Sequence, residues 1–189
     1  MLSIKNRQTY LKYLGFYTGE VDGKEGPLTK KAYRNLQKAY FTREKDIDGI
    51  YGNDTEKLLL SAYRVKKYTK NFKLEEFKCQ CGGKYCTGYP AALDIQFLKN
   101  LQSVRNKFGS TKITSAMRCD KHNARVGGSS GSRHRLGKAA DIITSTSGSE
   151  SGRQKIMRYW KTLPRQRYTY CNIGGNYPNM GSATHVDIV

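Results

Sequence analysis

The sequence predicts an α+β chain in two parts: a small three-helix module at the amino terminus, then a larger part combining helices with a short, mainly antiparallel sheet. Three observations lead there. A segment of helical character repeats within residues 1–70, an amphipathic stripe runs through residues 90–108, and three short runs of strand character follow it. With 189 residues the chain is long enough for a main domain of about 110 to 120 residues carrying a smaller module.

The repeat comes first. "EVDGKEGPLTKKAYRNLQKAY" from Glu20 aligns with "DIDGIYGNDTEKLLLSAYRV" from Asp46, Asp22 matching Asp48 at an offset of 26 residues. Each copy has an Asp-Gly turn signal, a second glycine (Gly26 or Gly52) and a helix start, Pro27 with Thr29 or Asn53 and Asp54 with Thr55. Ala32, Leu36 and Ala39, and then Leu58, Leu59, Ala62 and Val65, recur at helical spacing. An earlier short helix through Tyr10, Leu11 and Leu14 ends at Gly15. On periodicity alone this is a generic helical bundle. The basic, polar stretch "RVKKYTKNFK" that follows reads as a linker, so the expected divisions are 1–66, 67–73 and 74–189.

From Pro90 to Phe108 the spacing predicts a helix with Leu93, Phe97, Leu101, Val104 and Phe108 on one stripe, stopped by Gly109. "KITSAMRC" reads as a short strand, "DKHNARVGGSSGS" as a helical turn and a flexible loop, "KAADIIT" as a buried strand, and "THVDIV" as a closing strand.

A formal charge of +19, from 34 Lys and Arg against 15 Asp and Glu, favours polyanionic partners: nucleic acid, anionic lipid or an anionic cell-wall polymer. The basic residues are spread along the chain, which also describes a generally cationic surface. No zinc-finger spacing, RNP-type strand or basic region with heptads is present. The start "MLSIKNRQTYLKYLGF" lacks the apolar core and cleavage site of a signal peptide, and no run of about 18 apolar residues occurs. Without a secretory signal, the five cysteines are not assumed to form a disulfide framework. Cys79, Cys81 and Cys86 crowd into "CQCGGKYC", with Cys119 and Cys171 apart. Free thiols, one or two disulfides, or a closed zinc site with Cys119 or His122 are the three accounts. The last ranks lowest because CxxC spacing is missing.

The chain has three histidines. His134 sits past a flexible loop, Gly137 lets the backbone turn, and Asp141 lies in a strand. His185 and Asp187, two apart in a strand, share a face. Two histidines and two aspartates can therefore meet in one pocket. Three His and Asp ligands with water in the fourth position is how catalytic zinc is held, whereas structural sites close all four. Each residue also has a plainer reading, a structural histidine or a strand aspartate that caps or hydrogen-bonds.

A family resemblance bears on that choice. "ITSAMRCDKHNARVGGSSGSRHRLGKAADI" followed by "HVDI" resembles the zinc-dependent M15 peptidases, the D-alanyl-D-alanine carboxypeptidase and phage endolysin group, over about residues 72–189. The "DGxxGxxT" segments resemble a peptidoglycan-binding module over nearly all of residues 1–66. The resemblance implies that His134, Asp141 and His185 hold one catalytic Zn2+, and that Arg118 binds substrate and stabilises charge developing on the attacked carbonyl. Several members carry an acid three positions before the last histidine. Here that position is Ser182. Asp187 is taken as the catalytic base, with a role in orienting His185 as the alternative. Ser132 either shapes its loop or touches substrate, and His122 either supports the loop or serves the pocket. The cysteine cluster also occurs in relatives, which suggests a structural staple.

The implied function is a two-module zinc peptidase acting on bacterial peptidoglycan, of phage endolysin type, made in the cytoplasm without a signal peptide and released at lysis. A monomer is expected, with no nucleic acid as partner and no membrane insertion. The rival reading is a non-catalytic peptidoglycan-binding protein that retains the fold.

Overall fold

The computed structural model describes residues 1–189. Helices α1 (Ile4–Leu14), α2 (Pro27–Tyr40) and α3 (Asn53–Tyr68) form the amino-terminal bundle. Ser3 caps α1 by accepting from Asn6 N–H, and Gly15 ends it at φ 91°. The "DGxxG" loops before α2 and α3 are fixed by a residue type that periodicity does not flag, a buried glutamine on the preceding helix. Gln8 Nε2 lies 2.7 Å from Asp22 Oδ1, 3.0 Å from the Lys24 carbonyl and 3.2 Å from Thr29 Oγ1, while its Oε1 accepts from Gly23 N–H at 2.8 Å. Gln37 repeats the network with Asp48 Oδ1 (2.9 Å), the Ile50 carbonyl (3.1 Å), Thr55 Oγ1 (2.9 Å) and Gly49 N–H (2.8 Å). Gly23 and Gly49 stand at φ 76° and 75°, where a β-carbon is disfavoured. The aspartate, glycine and threonine of the repeat are thus three contacts of one amide.

The stretch expected to be a linker is ordered into the fold. α3 runs on to Tyr68, Thr69 Oγ1 donates to the Val65 carbonyl at 2.8 Å, and Phe72 is buried edge-on to Phe77 at 6.0 Å. Val65 and Tyr68 continue the apolar stripe of α3, which the lysines between and after them mask in the sequence. The bundle is joined to the rest of the chain by specific bonds: Leu93 N–H to Ser61 Oγ (3.1 Å), Arg64 Nη1 to the Leu93 carbonyl (2.7 Å) and Thr42 N–H to the Thr87 carbonyl (3.1 Å). One apolar core extends from Leu11 and Leu36 through Phe97 to Trp160.

Helix α4 (Ile95–Phe108) begins five residues after the expected Pro90, because Asp94 caps it, accepting from Gln96 and Phe97 N–H. Strands β1 (Thr111–Ser115), β2 (Ala139–Thr144), β3 (Gln166–Cys171) and β4 (Thr184–Ile188) form one sheet in the order β1-β2-β4-β3, every pairing antiparallel. The short helix α5 (Asp120–Arg125) follows β1, and α6 (Glu150–Trp160) precedes β3. Neither α6 nor β3 was expected from the sequence. α6 is capped by Ser149 and buries only Ile156 and Trp160 among its larger apolar side chains, while β3 exposes Arg167 and Tyr168, so each carries a weak pattern.

The sheet has two unlike faces, as a period of two requires. Ala140, Ile142, Val186 and Ile188 join the core beneath α4 and α6. Asp141, His185 and Asp187 point the other way, and Trp160 Nε1 donates to the Asp187 carbonyl at 2.9 Å from behind.

Replacing Gln37 by Ala leaves the buried Gly49 amide without this partner. We expect a loss of about 1–3 kcal/mol, read as a lowered Tm, and Gln8→Ala to behave alike. Unchanged Tm in both variants would show that the amide network does not hold the loops.

Candidate active site

Asp141 and His185 are direct partners in the β2–β4 register. His134 reaches them from a 3-10 turn, Arg133–Leu136, that ends at Gly137 with φ 67°. A β-carbon at Gly137 would lie 2.6 Å from the Ala92 carbonyl oxygen, so only glycine allows this approach. Both ends of His134 are tied down: its carbonyl accepts from Arg118 N–H (3.1 Å), and Nδ1 sits 2.6 Å from the Ala116 carbonyl oxygen. A carbonyl only accepts, so Nδ1 carries the proton and Nε2 is left with a lone pair.

That lone pair faces a second imidazole nitrogen and a carboxylate oxygen. His134 Nε2 is 3.3 Å from His185 Nδ1 and 3.5 Å from Asp141 Oδ1, and His185 Nδ1 is 2.9 Å from Asp141 Oδ1. Four-coordinate zinc with bonds of about 2.0–2.1 Å sets its ligand atoms about 3.3 Å apart. The three residues are all buried. Two imidazoles and a carboxylate converging in this way fit a divalent cation with one position left for a small ligand.

Burial pushes the Asp141 carboxyl up, but the two histidines beside it outweigh this and hold the group well below the usual carboxylate range. Burial lowers His134, and its contact with Asp141 does not restore it. His185 is lowered by burial too, yet Asp141 and Asp187 together hold it above the ordinary imidazole value. Asp141 Oδ2 pairs with Arg118 Nη2 at 2.6 Å, and Arg118 Nε donates to Ser115 Oγ at 2.9 Å. The remaining guanidinium nitrogen, Nη1, has no protein partner.

Above this group lies a cleft of about 410 Å³, walled by Arg118, Asp141, Tyr170, Tyr177, Asn179 and the Val126–Gly128 loop. The loop is held by buried Asn123, whose Nδ2 donates to the Gly128 (3.0 Å) and Ser129 (2.9 Å) carbonyls. Tyr170, opposite His185 in the β3–β4 register, stacks on its ring with centroids 4.7 Å apart. Burial, aided by nearby Asp141, pushes its phenol up, so Tyr170 stays protonated at neutral pH. Sequence reasoning missed Tyr170 and Tyr177. Only the assignment of β3 would have placed them beside His185.

Two expected roles do not match the geometry. Asp187 Oδ2 lies 3.5 Å from Nε2 of His185, the nitrogen opposite the one that faces Asp141 and His134. Its carboxylate is further occupied by Tyr168 N–H (2.6 Å) and Arg167 Nη1 (3.3 Å), so it stands behind the histidine and away from the cleft. The i, i+2 spacing correctly puts both residues on one face but does not say which ring nitrogen looks inward. Ser132 starts the turn that carries His134 and is not part of the cleft wall. His122 is half-buried on α5, apart from the three converging residues.

Residues 70–187 match the Peptidase M15 family. The chain belongs to the M15 peptidases. Zn2+ is accordingly its cofactor, and the His-Asp-His group fits that ion. Residues 3–59 of this M15 chain match the putative peptidoglycan binding domain family. The chain is 30% identical over 172 residues to the zinc D-Ala-D-Ala carboxypeptidase of Streptomyces albus G, covering 88% of this chain and 63% of that protein. A spore cortex-lytic enzyme of Bacillus cereus is 40% identical over 76 residues, 40% of this chain and 28% of that one. This M15 chain thus spans less than two thirds of either relative. No helix is long and apolar enough to cross a membrane.

Protons compete with a metal for imidazole nitrogen. Because Asp141 and Asp187 favour the protonated form of His185, the apparent zinc affinity should fall as pH drops through the His185 titration. Zinc affinity measured against a competing chelator at graded pH tests this, and an affinity that does not change between about pH 8 and 5 would contradict it.

Proposed function

We propose that this chain is a zinc-dependent peptidase that hydrolyses an amide bond in peptidoglycan stem peptides or cross-bridges, held on the wall by its amino-terminal module. One observation carries the reading: three buried ligand atoms converge beneath a cleft into which an arginine presents an unpaired guanidinium nitrogen. We assign His134, Asp141 and His185 as the ligands.

Bound zinc supplies a Lewis acid and a coordinated water with a pKa near about 7. The chain supplies the rest. Arg118 holds Asp141 through Nη2 and offers Nη1 to a carbonyl oxygen that gains charge during attack. Tyr170 and Tyr177 form an aromatic wall for an extended peptide, and the Tyr170 phenol is a donor to a peptide carbonyl or a departing amine. Asp187 is a positioning residue that orients His185 from behind, in place of the catalytic base expected from the spacing.

The divisions 1–66, 67–73 and 74–189 fit this reading as wall module, connection and peptidase, and the +19 charge suits an anionic wall. A phage endolysin is the source we favour. The rival is a non-catalytic wall-binding protein with the same fold, and one observation favours it: Asp141, itself a ligand, is the only carboxylate in the cleft wall.

Purified cell walls distinguish the two. Catalysis predicts new free amino groups that appear with zinc and vanish with a chelator, whereas binding without release supports the rival. Arg118→Lys should lower kcat/KM by about 10²–10³-fold, the scale seen when one oxyanion donor is lost, with zinc content kept. Asp187→Asn should weaken zinc affinity by about 10–100-fold and recover turnover at saturating zinc. A dead Asp187→Asn enzyme with full zinc would restore Asp187 as the base.

A further inference from the structure

A second group of metal-ligating side chains lies outside the cleft. The thiols of Cys79, Cys81, Cys86 and Cys119 all come within 4.8 Å of one another, with Cys81 Sγ and Cys86 Sγ 3.5 Å apart. Cys171 is elsewhere, buried against Met157. Four sulfurs each about 2.3 Å from one ion stand about 3.8 Å from one another, within the 4.8 Å limit that all four thiols meet here. We propose that these four cysteines hold a structural zinc ion, separate from the catalytic one.

The topology of the segment supports this. Residues 78–94 form neither helix nor strand, yet they bury Cys79, Thr87, Tyr89 and Leu93. So long an irregular stretch inside a compact fold is uncommon and needs something besides a hydrogen-bond ladder to fix it. Only two backbone bonds run within the segment, Cys79 N–H to the Gly88 carbonyl (2.8 Å) and Lys84 N–H to the Cys81 carbonyl (3.0 Å). The fourth cysteine, 33 positions after Cys86, is the amino-terminal cap residue of α5. Its backbone N–H points at Cys79 Sγ at 3.4 Å, a bond that steadies a thiolate ligand.

Two disulfides would use the same residues but would draw the sulfurs into pairs about 2.05 Å apart. The observed arrangement is a single closed group of four. The spacing C-x-C-x4-C weighs against zinc when read as a motif, but the ligand set is completed by a distant residue that only the fold brings in.

The site would have a structural task. Cys119 directly follows Arg118, while Met117 N–H bonds to the Phe77 carbonyl at 3.2 Å. An ion joining Cys79 and Cys119 therefore braces the segment that carries the cleft arginine. The same loop meets the amino-terminal bundle through Thr42 and Thr87.

The full-length protein, purified under reducing conditions, should hold about two zinc ions per chain by elemental analysis. His134→Ala should lower this to about one, and X-ray absorption of that variant should give a zinc–sulfur distance of about 2.3 Å. Cobalt substitution of the unmutated chain, which avoids any folding defect of a cysteine variant, should produce a thiolate-to-cobalt charge-transfer band. A His134→Ala protein without zinc, zinc with only nitrogen and oxygen neighbours, no such cobalt band, or disulfides among these four in non-reducing peptide mapping would each overturn the proposal. No wall hydrolysis by the unmutated, zinc-loaded chain, with the sulfur-bound zinc present, would count against the catalytic reading alone.

Discussion

The active site depends on the register between β2 and β4. Antiparallel pairing sets Asp141 directly across from His185, and the alternation of strand faces turns both away from the helices that cover Ala140, Ile142, Val186 and Ile188. A slip of one residue would bury the acid against α4 and α6 and push aliphatic side chains into the cleft. The apolar core therefore enforces the convergence of these side chains: the free energy that seats Val186 and Ile188 also specifies where His185 points. His134 is the one converging residue outside the sheet, and its turn is pinned through Arg118, Ala116 and Gly137.

Charge is the second constraint. A carboxylate as buried as Asp141 is costly unless compensated, and here it is met by two imidazoles and a guanidinium. The compensation has a direction. Oδ1 faces the histidines and Oδ2 faces Arg118, so the residue that joins the two imidazoles also fixes the guanidinium in the cleft wall. The bundle at the amino terminus is docked on this part by Ser61, Arg64 and Thr42, which gives a firm connection where composition suggests a tether.

Much of this was legible in the residues. The helices of the repeat, α4, β1, β2 and β4 follow from spacing, and the sequence itself points to His134, Asp141 and His185. What escaped has physical reasons. Gln8 and Gln37 are polar residues buried for their amides, which apolar periodicity does not detect. β3 faces solvent with Arg167 and Tyr168, so the tyrosines beside His185 went unseen. For Asp187, strand geometry gives the face of a side chain but not the rotamer of its neighbour, and the ring orientation of His185 decides whether that acid looks at the cleft or stands behind it. Cys119 is far in sequence from the other three cysteines, and only tertiary structure joins them.

Anomalous diffraction from a crystal, collected on either side of the zinc absorption edge, tests the central claim most directly. The account requires a zinc peak bonded to His134 Nε2, Asp141 Oδ1 and His185 Nδ1 at about 2.0–2.2 Å, open toward the cleft. A peak elsewhere with these three atoms bare, or zinc bonded to His185 Nε2 with Asp187 as a ligand, would contradict it.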